Sequence, residues 1–174
     1  MNQNLTGTEL KRLHREWRKR PKGKLSIIIN GVQGPHNIGS ILRSSAAERV
    51  DKIWFTSNAT TPESPKVGKT ALGSERYIEW EEIQSTSLAI EEAQSQGYKV
   101  VALELASESI PIQEADLGGD ICIVVGHEDR GIEPETLAEC DFSTFIPQLG
   151  KIGSLNVAVA TAIAIYEIRR QGWS

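Results

Sequence analysis

Short apolar runs alternate with amphipathic segments along most of the chain. Apolar runs of strand length predict strands at residues 25–30, 52–56, 98–103, 120–125 and 142–146. Helical spacing between these runs predicts helices over residues 37–47, 87–96, 134–139 and 154–170. Strands that alternate with helices indicate βαβ units, so we expect an α/β fold with a mostly parallel sheet flanked by helices.

The first 24 residues fall outside this alternation. Thr6 and Glu9 have the spacing of a capping box, and Pro21 ends the segment, so a short helix is predicted. Its apolar residues form a narrow stripe: Leu10, Leu13 and Trp17. We therefore divide the chain into a helical arm, residues 1–24, and one domain, residues 25–174. Within the domain, residues 57–76 are rich in proline, glycine, serine and threonine and predict a long loop, a feature that is often functional.

Charge separates the arm from the domain. The chain of 174 residues has a formal net charge of −4, which excludes a uniformly basic nucleic-acid-binding protein. The arm, however, holds eight Lys and Arg against two Glu, a net charge of +6, and the remaining residues carry −10. A basic arm on an acidic domain leaves the arm as the part best suited to a polyanionic partner.

Cysteine content and hydropathy bear on the compartment. Cys122 and Cys140 are too few for a disulfide framework or a four-ligand zinc site, so free thiols and a reducing compartment are expected. The N-terminus lacks the apolar segment of a secretory signal, and the longest apolar run, residues 155–166, is too short to span a bilayer. We expect a cytoplasmic protein without membrane contact.

The common nucleotide and catalytic motifs are absent. No G-x-G-x-x-G follows a strand, and Gly126 and Gly131 have Walker spacing without the Lys and Ser/Thr that must follow. The histidines and cysteines show no metal-ligand spacing, and there is no nucleophile elbow. What remains are three polar segments, each at the carboxyl end of a predicted strand, where open α/β sheets bind ligands.

These segments carry a family resemblance. Asn37-Ile-Gly-Ser-Ile-Leu-Arg43 resembles an N-x-G-x-x-x-R motif, and Gly126-His-Glu-Asp-Arg-Gly131 resembles G-[N/Q]-E-x-x-G. The third, Ile146-Pro147 followed by Ser154-Leu-Asn156, resembles an I-P-loop-S-L-N helix start. Together, and in this order, they resemble the SpoU/TrmH family of SPOUT-class RNA ribose 2′-O-methyltransferases, over about residues 25–170. His127 departs from the usual Asn or Gln, and Glu48-Arg49 stands where many relatives have Phe-Gly.

The resemblance implies a cofactor site and a topology. In this family the last third of the chain forms a deep trefoil knot that binds S-adenosyl-L-methionine, with the adenine held largely by backbone groups. The matching positions here are Gly126, Ile146 and Leu155. Ile146 and Leu155 would supply apolar walls for the adenine, although buried core positions are the alternative for both. No metal is implied.

The same resemblance points to Arg43 as the catalytic residue. Its counterpart is often drawn as activating the ribose 2′-hydroxyl, yet an arginine stays protonated in ordinary sites. Arg43 could instead bind the adjacent phosphate through its planar guanidinium and orient the hydroxyl. The polar remainder of the candidate site is Asn37, Glu128, Ser154 and Asn156. We expect Glu128 and Asn156 to hydrogen-bond the pocket loops or RNA, while helix capping is the alternative for Asn37 and Ser154.

The candidate partner is RNA. Residues 69–74 resemble a stretch of the tRNA branch that methylates the D-loop guanosine, so tRNA is favoured and rRNA comes second. The arm is the expected RNA contact. The last helix is apolar nearly all round, which together with the dimeric state of the family predicts a homodimer through that helix. A non-catalytic RNA-binding module and a generic α/β small-molecule enzyme are the competing interpretations.

Overall fold

Seven parallel strands form the centre of the molecule. The computed structural model describes residues 3–56 and 58–173. The strands are β1 (Leu25–Ile29), β2 (Lys52–Thr56), β3 (Glu79–Ile83), β4 (Lys99–Leu103), β5 (Ile110–Pro111), β6 (Ile121–Val125) and β7 (Phe142–Phe145). Their order in the sheet is β3-β2-β1-β6-β4-β7-β5, and every pairing is parallel. The predicted α/β fold with a parallel sheet is confirmed.

Helices cover both faces of this sheet. They are α1 (Gly7–Trp17), α2 (Pro35–Ala47), α3 (Pro65–Ala71), α4 (Thr86–Ser95), α5 (Pro134–Glu139) and α6 (Val157–Gly172), with a 3₁₀ helix at Ser74–Tyr77. The buried side chains of α2, α3 and α6 belong to one apolar core, and those of α4 to the other. Strands β1 and β6 are buried at every position, as expected for parallel strands covered on both faces. No helix among the described residues is long and apolar enough to cross a membrane.

The prediction of secondary structure is wrong in part. The predicted loop of residues 57–76 contains α3 and most of the 3₁₀ helix. Strands β3 and β5 were not expected; β3 reads Glu-Trp-Glu-Glu-Ile, and its three glutamates hide the apolar pattern. Strand β3 lies at one edge of the sheet, and its glutamates suit that position because charged side chains keep a sheet edge from pairing with another chain. Helix α2 begins two residues earlier than predicted, at Pro35, and α6 begins three residues later, at Val157.

The arm helix forms as predicted. Thr6 Oγ1 accepts a hydrogen bond from the Glu9 backbone amide at 3.4 Å, and the Glu9 carboxylate accepts one from the Thr6 amide at 2.8 Å. No residue of α1 is buried. The arm reaches the domain through a ring contact, in which Trp17 packs edge-on against Trp173 with centroids 5.1 Å apart.

A buried arginine fastens α6 to the rest of the domain. The side chain of Arg169 is 5% exposed and donates hydrogen bonds to the carbonyl oxygens of Glu48 at 2.8 Å, Gly23 at 3.1 Å and Arg49. Arg49 has a φ of 53°, which lies in the left-handed region that favours glycine. The guanidinium thus fixes the backbone of a turn whose own sequence does not favour it.

Candidate active site

A cavity of about 340 Å³ opens at the carboxyl ends of β4, β6 and β7. Because these strands are neighbours in the sheet, the loops that follow them meet at one edge. Five of the residues singled out from the sequence line the cavity: Gly126, Glu128, Ile146, Ser154 and Leu155. The second and third motifs are therefore brought together around one space, which has the size of a small-ligand pocket.

Two glycines shape the loop after β6. His127 and Gly131 exchange backbone hydrogen bonds, at 3.2 Å from the His127 amide and 2.9 Å from the Gly131 amide. A Cβ on Gly126 would lie 2.5 Å from the Gly131 carbonyl carbon, so the two ends of the loop touch through their backbones. Gly131 also has a φ of 66°, a conformation that glycine adopts without strain. A side chain at position 126 or 131 would therefore clash with the neighbouring atoms, and the loop could not keep this conformation.

Glu128 connects this loop to the first motif. One carboxylate oxygen accepts hydrogen bonds from the Gly34 amide at 2.8 Å and from Asn37 Nδ2 at 3.0 Å. The other oxygen accepts from the Gln33 amide at 3.2 Å. Burial raises the pKa of Glu128, but the hydrogen bonds from Asn37 and the backbone amides outweigh it, so the pKa lies below its ordinary value of 4.5. The carboxylate form is the one that this site stabilises.

Asn156 brings in the third motif. Its side-chain nitrogen donates to Oδ1 of Asn37 at 2.9 Å, and its own Oδ1 accepts from the amides of Ala158 and Val159 at 2.9 and 3.3 Å. Asn156 is therefore the N-cap of α6. Glu128, Asn37 and Asn156 form one chain of hydrogen bonds that joins all three sequence motifs beside the cavity.

The capping alternative is wrong for both residues to which it was applied. Asn37 lies inside α2, whose N-cap is Gly34, and it uses its side chain for Glu128 and Asn156. Ser154 precedes the N-cap of α6 by two residues and is exposed on the wall of the cavity. Helix capping belongs instead to Asn156, for which it was not considered.

Core burial is the wrong alternative for Leu155 and holds only in part for Ile146, which packs against the core. Ile146 is half-buried, Leu155 is 38% exposed, and both side chains face the cavity. Ile146 packs against the hydrophobic core and also lines the cavity, so it can offer apolar surface to a ligand.

Arg43 stands apart from this cluster. It is the ninth residue of α2, exposed, and it does not line the cavity. Asn37 on the same helix holds α2 against the loop that contains Glu128. Arg43 thus projects from the helix that the hydrogen-bond chain positions, at a place open to a large partner.

Glu104 is a cavity residue that the sequence reasoning missed. Its carboxylate accepts hydrogen bonds from the Leu105 amide at 3.1 Å and, across the cavity wall, from the Ile132 amide at 3.0 Å. Its position directly after β4 was an available signal, because the carboxyl end of a parallel strand is where ligands bind. Glu104 holds the end of the Gly126–Gly131 loop, and with Glu128 and Asp129 it makes the wall rich in carboxylates.

Comparison with known proteins agrees with the site. The model of the SpoU rRNA Methylase family matches residues 24–166. The chain belongs to the SpoU family. A 23S rRNA (guanosine-2′-O-)-methyltransferase RlmB of Coxiella burnetii is 37% identical over 88% of this SpoU chain and 61% of its own. A tRNA (guanosine(18)-2′-O)-methyltransferase of Escherichia coli K12 is 31% identical, over 84% of this chain and 63% of its own.

A solved structure supports the SpoU assignment. The AdoMet-bound rRNA methyltransferase from Sinorhizobium meliloti superposes with a TM-score of 0.81 at 28% identity, covering 89% of this chain and 59% of that one. The SpoU chain described here spans about three fifths of the length of the curated relatives that it matches.

Proposed function

We propose that this chain is an S-adenosylmethionine-dependent RNA ribose 2′-O-methyltransferase. The observation that carries the proposal is the hydrogen-bond chain from Glu128 through Asn37 to Asn156. It assembles three distant motifs beside one cavity, and it does so on the helix that presents Arg43. A non-catalytic RNA-binding module would not need this coupling between a ligand-sized cavity and an exposed arginine.

The cavity fits the cofactor on its own chemistry. Apolar walls from Ile146 and Leu155 suit an adenine ring, and the closed backbone of Gly126 and Gly131 offers a flat surface for close approach. The carboxylates of Glu104 and Glu128 suit a cationic ligand. When bound, S-adenosylmethionine supplies a methyl group that is activated by its attachment to a sulfonium cation.

Arg43 is assigned to the RNA. We assign its guanidinium to the phosphate next to the reacting ribose, because a planar fork matches phosphate oxygens and fixes their orientation. With the cofactor bound, the 2′-oxygen would take the methyl group as the sulfonium S–CH3 bond breaks and S-adenosylhomocysteine leaves, and the 2′-hydroxyl proton would pass to solvent, assisted by the phosphate that Arg43 holds. Arg43 is thus a positioning cation in this scheme rather than a base.

The test is transfer of labelled methyl groups to unmodified RNA. Incubation with labelled S-adenosylmethionine and in vitro-transcribed tRNA or rRNA, followed by nucleoside mapping, should place the label on a ribose. Arg43→Lys keeps the charge and loses the fork, and it should abolish most transfer while leaving cofactor binding and the melting temperature unchanged. Label on a base, or full activity of Arg43→Lys, would refute this assignment.

The substrate within this class is tRNA in our proposal. Residues 69–74 resemble a stretch of the tRNA branch that methylates the D-loop guanosine. One relative named above is a tRNA (guanosine(18)-2′-O)-methyltransferase. The second candidate is rRNA, favoured by the higher identity to the rRNA enzyme of Coxiella burnetii. Methylation rates on the two transcripts, measured side by side, separate these candidates.

The basic arm is proposed as a handle for RNA. Its cations are exposed along α1, and Arg20 lies 4.1 Å from the ring centroid of Trp17, so charge and an aromatic surface occur together. Deletion of residues 1–20 should weaken RNA binding and leave cofactor binding intact. The deletion stops there because the Gly23 carbonyl accepts a hydrogen bond from Arg169. Unchanged RNA affinity would contradict the handle.

A homodimer through α6 is proposed as well. One face of α6 is buried in the domain, whereas Val159, Ile163 and Tyr166 are 49%, 39% and 53% exposed. Their spacing of four and three residues makes one apolar stripe, which a second copy of the helix would cover. Light scattering at micromolar concentration should give twice the chain mass. The trefoil knot and the cytoplasmic location stay predictions.

A further inference from the structure

Acidic residues are concentrated in one part of the domain. Residues 78–142 carry sixteen Asp and Glu against two Lys and Arg, whereas residues 31–77 carry four acidic residues against six basic ones. The acidic stretch contributes β3 to β6 with α4 and α5, and the other stretch contributes α2, β2 and α3. An RNA strand is a polyanion, so it is repelled by the first part and can approach the domain along α2 and α3.

Helices α2 and α3 form one continuous surface. A Cβ on Gly39 of α2 would lie 2.6 Å from Cβ of Thr70 and 2.9 Å from the nitrogen of Ala71, so the two helices pack in close contact. Near the start of α2, His36 Nδ1 lies 3.0 Å from Oγ1 of Thr70. Arg43 follows His36 by seven residues, which places both side chains on one face of the helix.

Cations on this surface have no carboxylate partner. Arg43 on α2 and both Lys66 and Lys69 on α3 are exposed. Within the described part of the chain, none of the three forms a salt bridge, although Glu63 and Glu75 belong to the same stretch of sequence. Unpaired exposed cations in an otherwise acidic domain are available for phosphate groups.

The chain after α3 adds apolar groups to the surface. Leu72, the C-cap of α3, has a left-handed φ of 53° and is 68% exposed, and Tyr77, which ends the 3₁₀ helix, is 81% exposed. The 3₁₀ helix packs against α2, so Tyr77 belongs to an element in contact with the helix that carries Arg43. Exposed aromatic rings beside cations are how many proteins bind single-stranded nucleic acid, since each base can stack on a ring.

A second cavity borders this surface and is joined to the candidate active site through one hydrogen bond. It measures about 420 Å³ and is lined by Gln33, Pro35, Thr60, Ser64, Pro65 and Lys66. The amide of Gln33 donates to Glu128, which also lines the first cavity. The segment that includes Gln33 thus borders one cavity and is hydrogen-bonded to a residue that lines the other.

We propose that the surface of α2, α3 and the 3₁₀ helix binds the RNA strand that flanks the methylated nucleotide. Lys66 and Lys69 contact phosphates, and Tyr77 stacks on an unpaired base. This inference rests on the proposed function, and it adds to Arg43 a wider binding surface on the domain that is separate from the arm.

The test measures RNA affinity as a function of salt. A fluorescein-labelled, unmodified tRNA transcript is titrated with the full chain over a series of KCl concentrations. Each lost phosphate contact reduces the slope of log K against log salt by about 0.7 for single strands, so affinity at 0.1 M salt falls about fivefold per lysine. The double variant Lys66→Ala with Lys69→Ala should therefore lose about 1.4 from the slope. Tyr77→Ala should weaken binding at least about fivefold, and Tyr77→Phe should not.

Lys99→Ala is the matched control. Lys99 lies on the acidic part of the domain and pairs with Asp116 at 2.9 Å, so its loss removes the same charge away from the proposed surface. If the wild type methylates RNA and the lysine variants keep the slope of Lys99→Ala, the surface is refuted while the proposed function stands. If the wild type methylates no RNA, the proposed function fails and this inference fails with it. Cofactor binding should be equal in all variants, because none of the four residues lines the first cavity.

Discussion

Removal of the Glu128 carboxylate should uncouple the three motifs. In Glu128→Ala the amides of Gly34 and Gln33 and the side chain of Asn37 lose their shared acceptor. Hydrogen bonds to a charged group contribute about 1.5–3 kcal/mol each when buried, and this site is half-open, so we take about 1 kcal/mol for each bond. The expected loss is about 3 kcal/mol in the free energy of unfolding, or roughly 6–12 °C in the melting temperature.

Glu128→Gln gives a graded version of the same test. An amide oxygen in place of the better-bonded carboxylate oxygen keeps the contacts with Gly34 and Asn37, but the amide nitrogen then faces the N–H of Gln33, donor against donor. We expect a loss of about 1.5 kcal/mol in the free energy of unfolding and a lower cofactor affinity, because the loop that lines the cavity loses part of its anchor. Urea denaturation and titration calorimetry with S-adenosylmethionine measure the two quantities.

The pH dependence identifies the charge as the cause. Because the pKa of Glu128 is lower in the folded chain than its ordinary value of 4.5, the carboxylate stabilises the fold above that pH. The stability difference between wild type and Glu128→Gln should be constant at neutral pH and shrink as the pH falls below 4.5. Glu114→Gln, a change at an exposed carboxylate outside the cavity, is the control. A Glu128→Ala variant as stable as Glu114→Gln would refute the reasoning.

Glu104, Arg169 and the two cysteines give three further, independent tests. Glu104→Ala frees the Ile132 amide and should weaken S-adenosylmethionine binding about tenfold by calorimetry, an equal affinity being the contrary result. Arg169→Met leaves three carbonyl oxygens without their donor and should lower the free energy of unfolding by about 3 kcal/mol, measured by urea denaturation. An unchanged midpoint would contradict a stabilising role for these hydrogen bonds. Burial, with Asp141 and Glu139 nearby, raises the pKa of Cys140 to about 12, and burial raises that of Cys122 well above its usual value. Ellman's reagent at pH 8 should therefore react with both thiols only after unfolding.

Much of the fold could be predicted from local pattern. Strand β2 and helix α5 lie at their predicted bounds, and the buried strands β1 and β6 are long apolar runs that a parallel sheet requires. The capping box of α1 is a contact between residues three apart, so it is legible in the sequence. Elements whose composition opposes their conformation were missed, as in β3, where glutamates that protect a sheet edge conceal a strand.

The candidate site could also be predicted only in part. Its residue types and order were visible in three short motifs, because each motif is contiguous in the chain. What each side chain does was not visible, because Asn37 meets Glu128 across 91 positions and Asn156 across 119. Local reasoning therefore left a helix cap, the short-range use of an asparagine, as the alternative for Asn37, and it missed Glu104, whose partner Ile132 is 28 positions away.

The sequence by itself thus determined the fold class, the charged arm and most residues of the candidate site. Only the tertiary structure decided which of those residues touch, which face the cavity and which, like Arg43, stand outside it. The physical reason is that propensity and capping act between neighbours in the chain, whereas a site at the edge of a parallel sheet is built by loops that the strand order brings together.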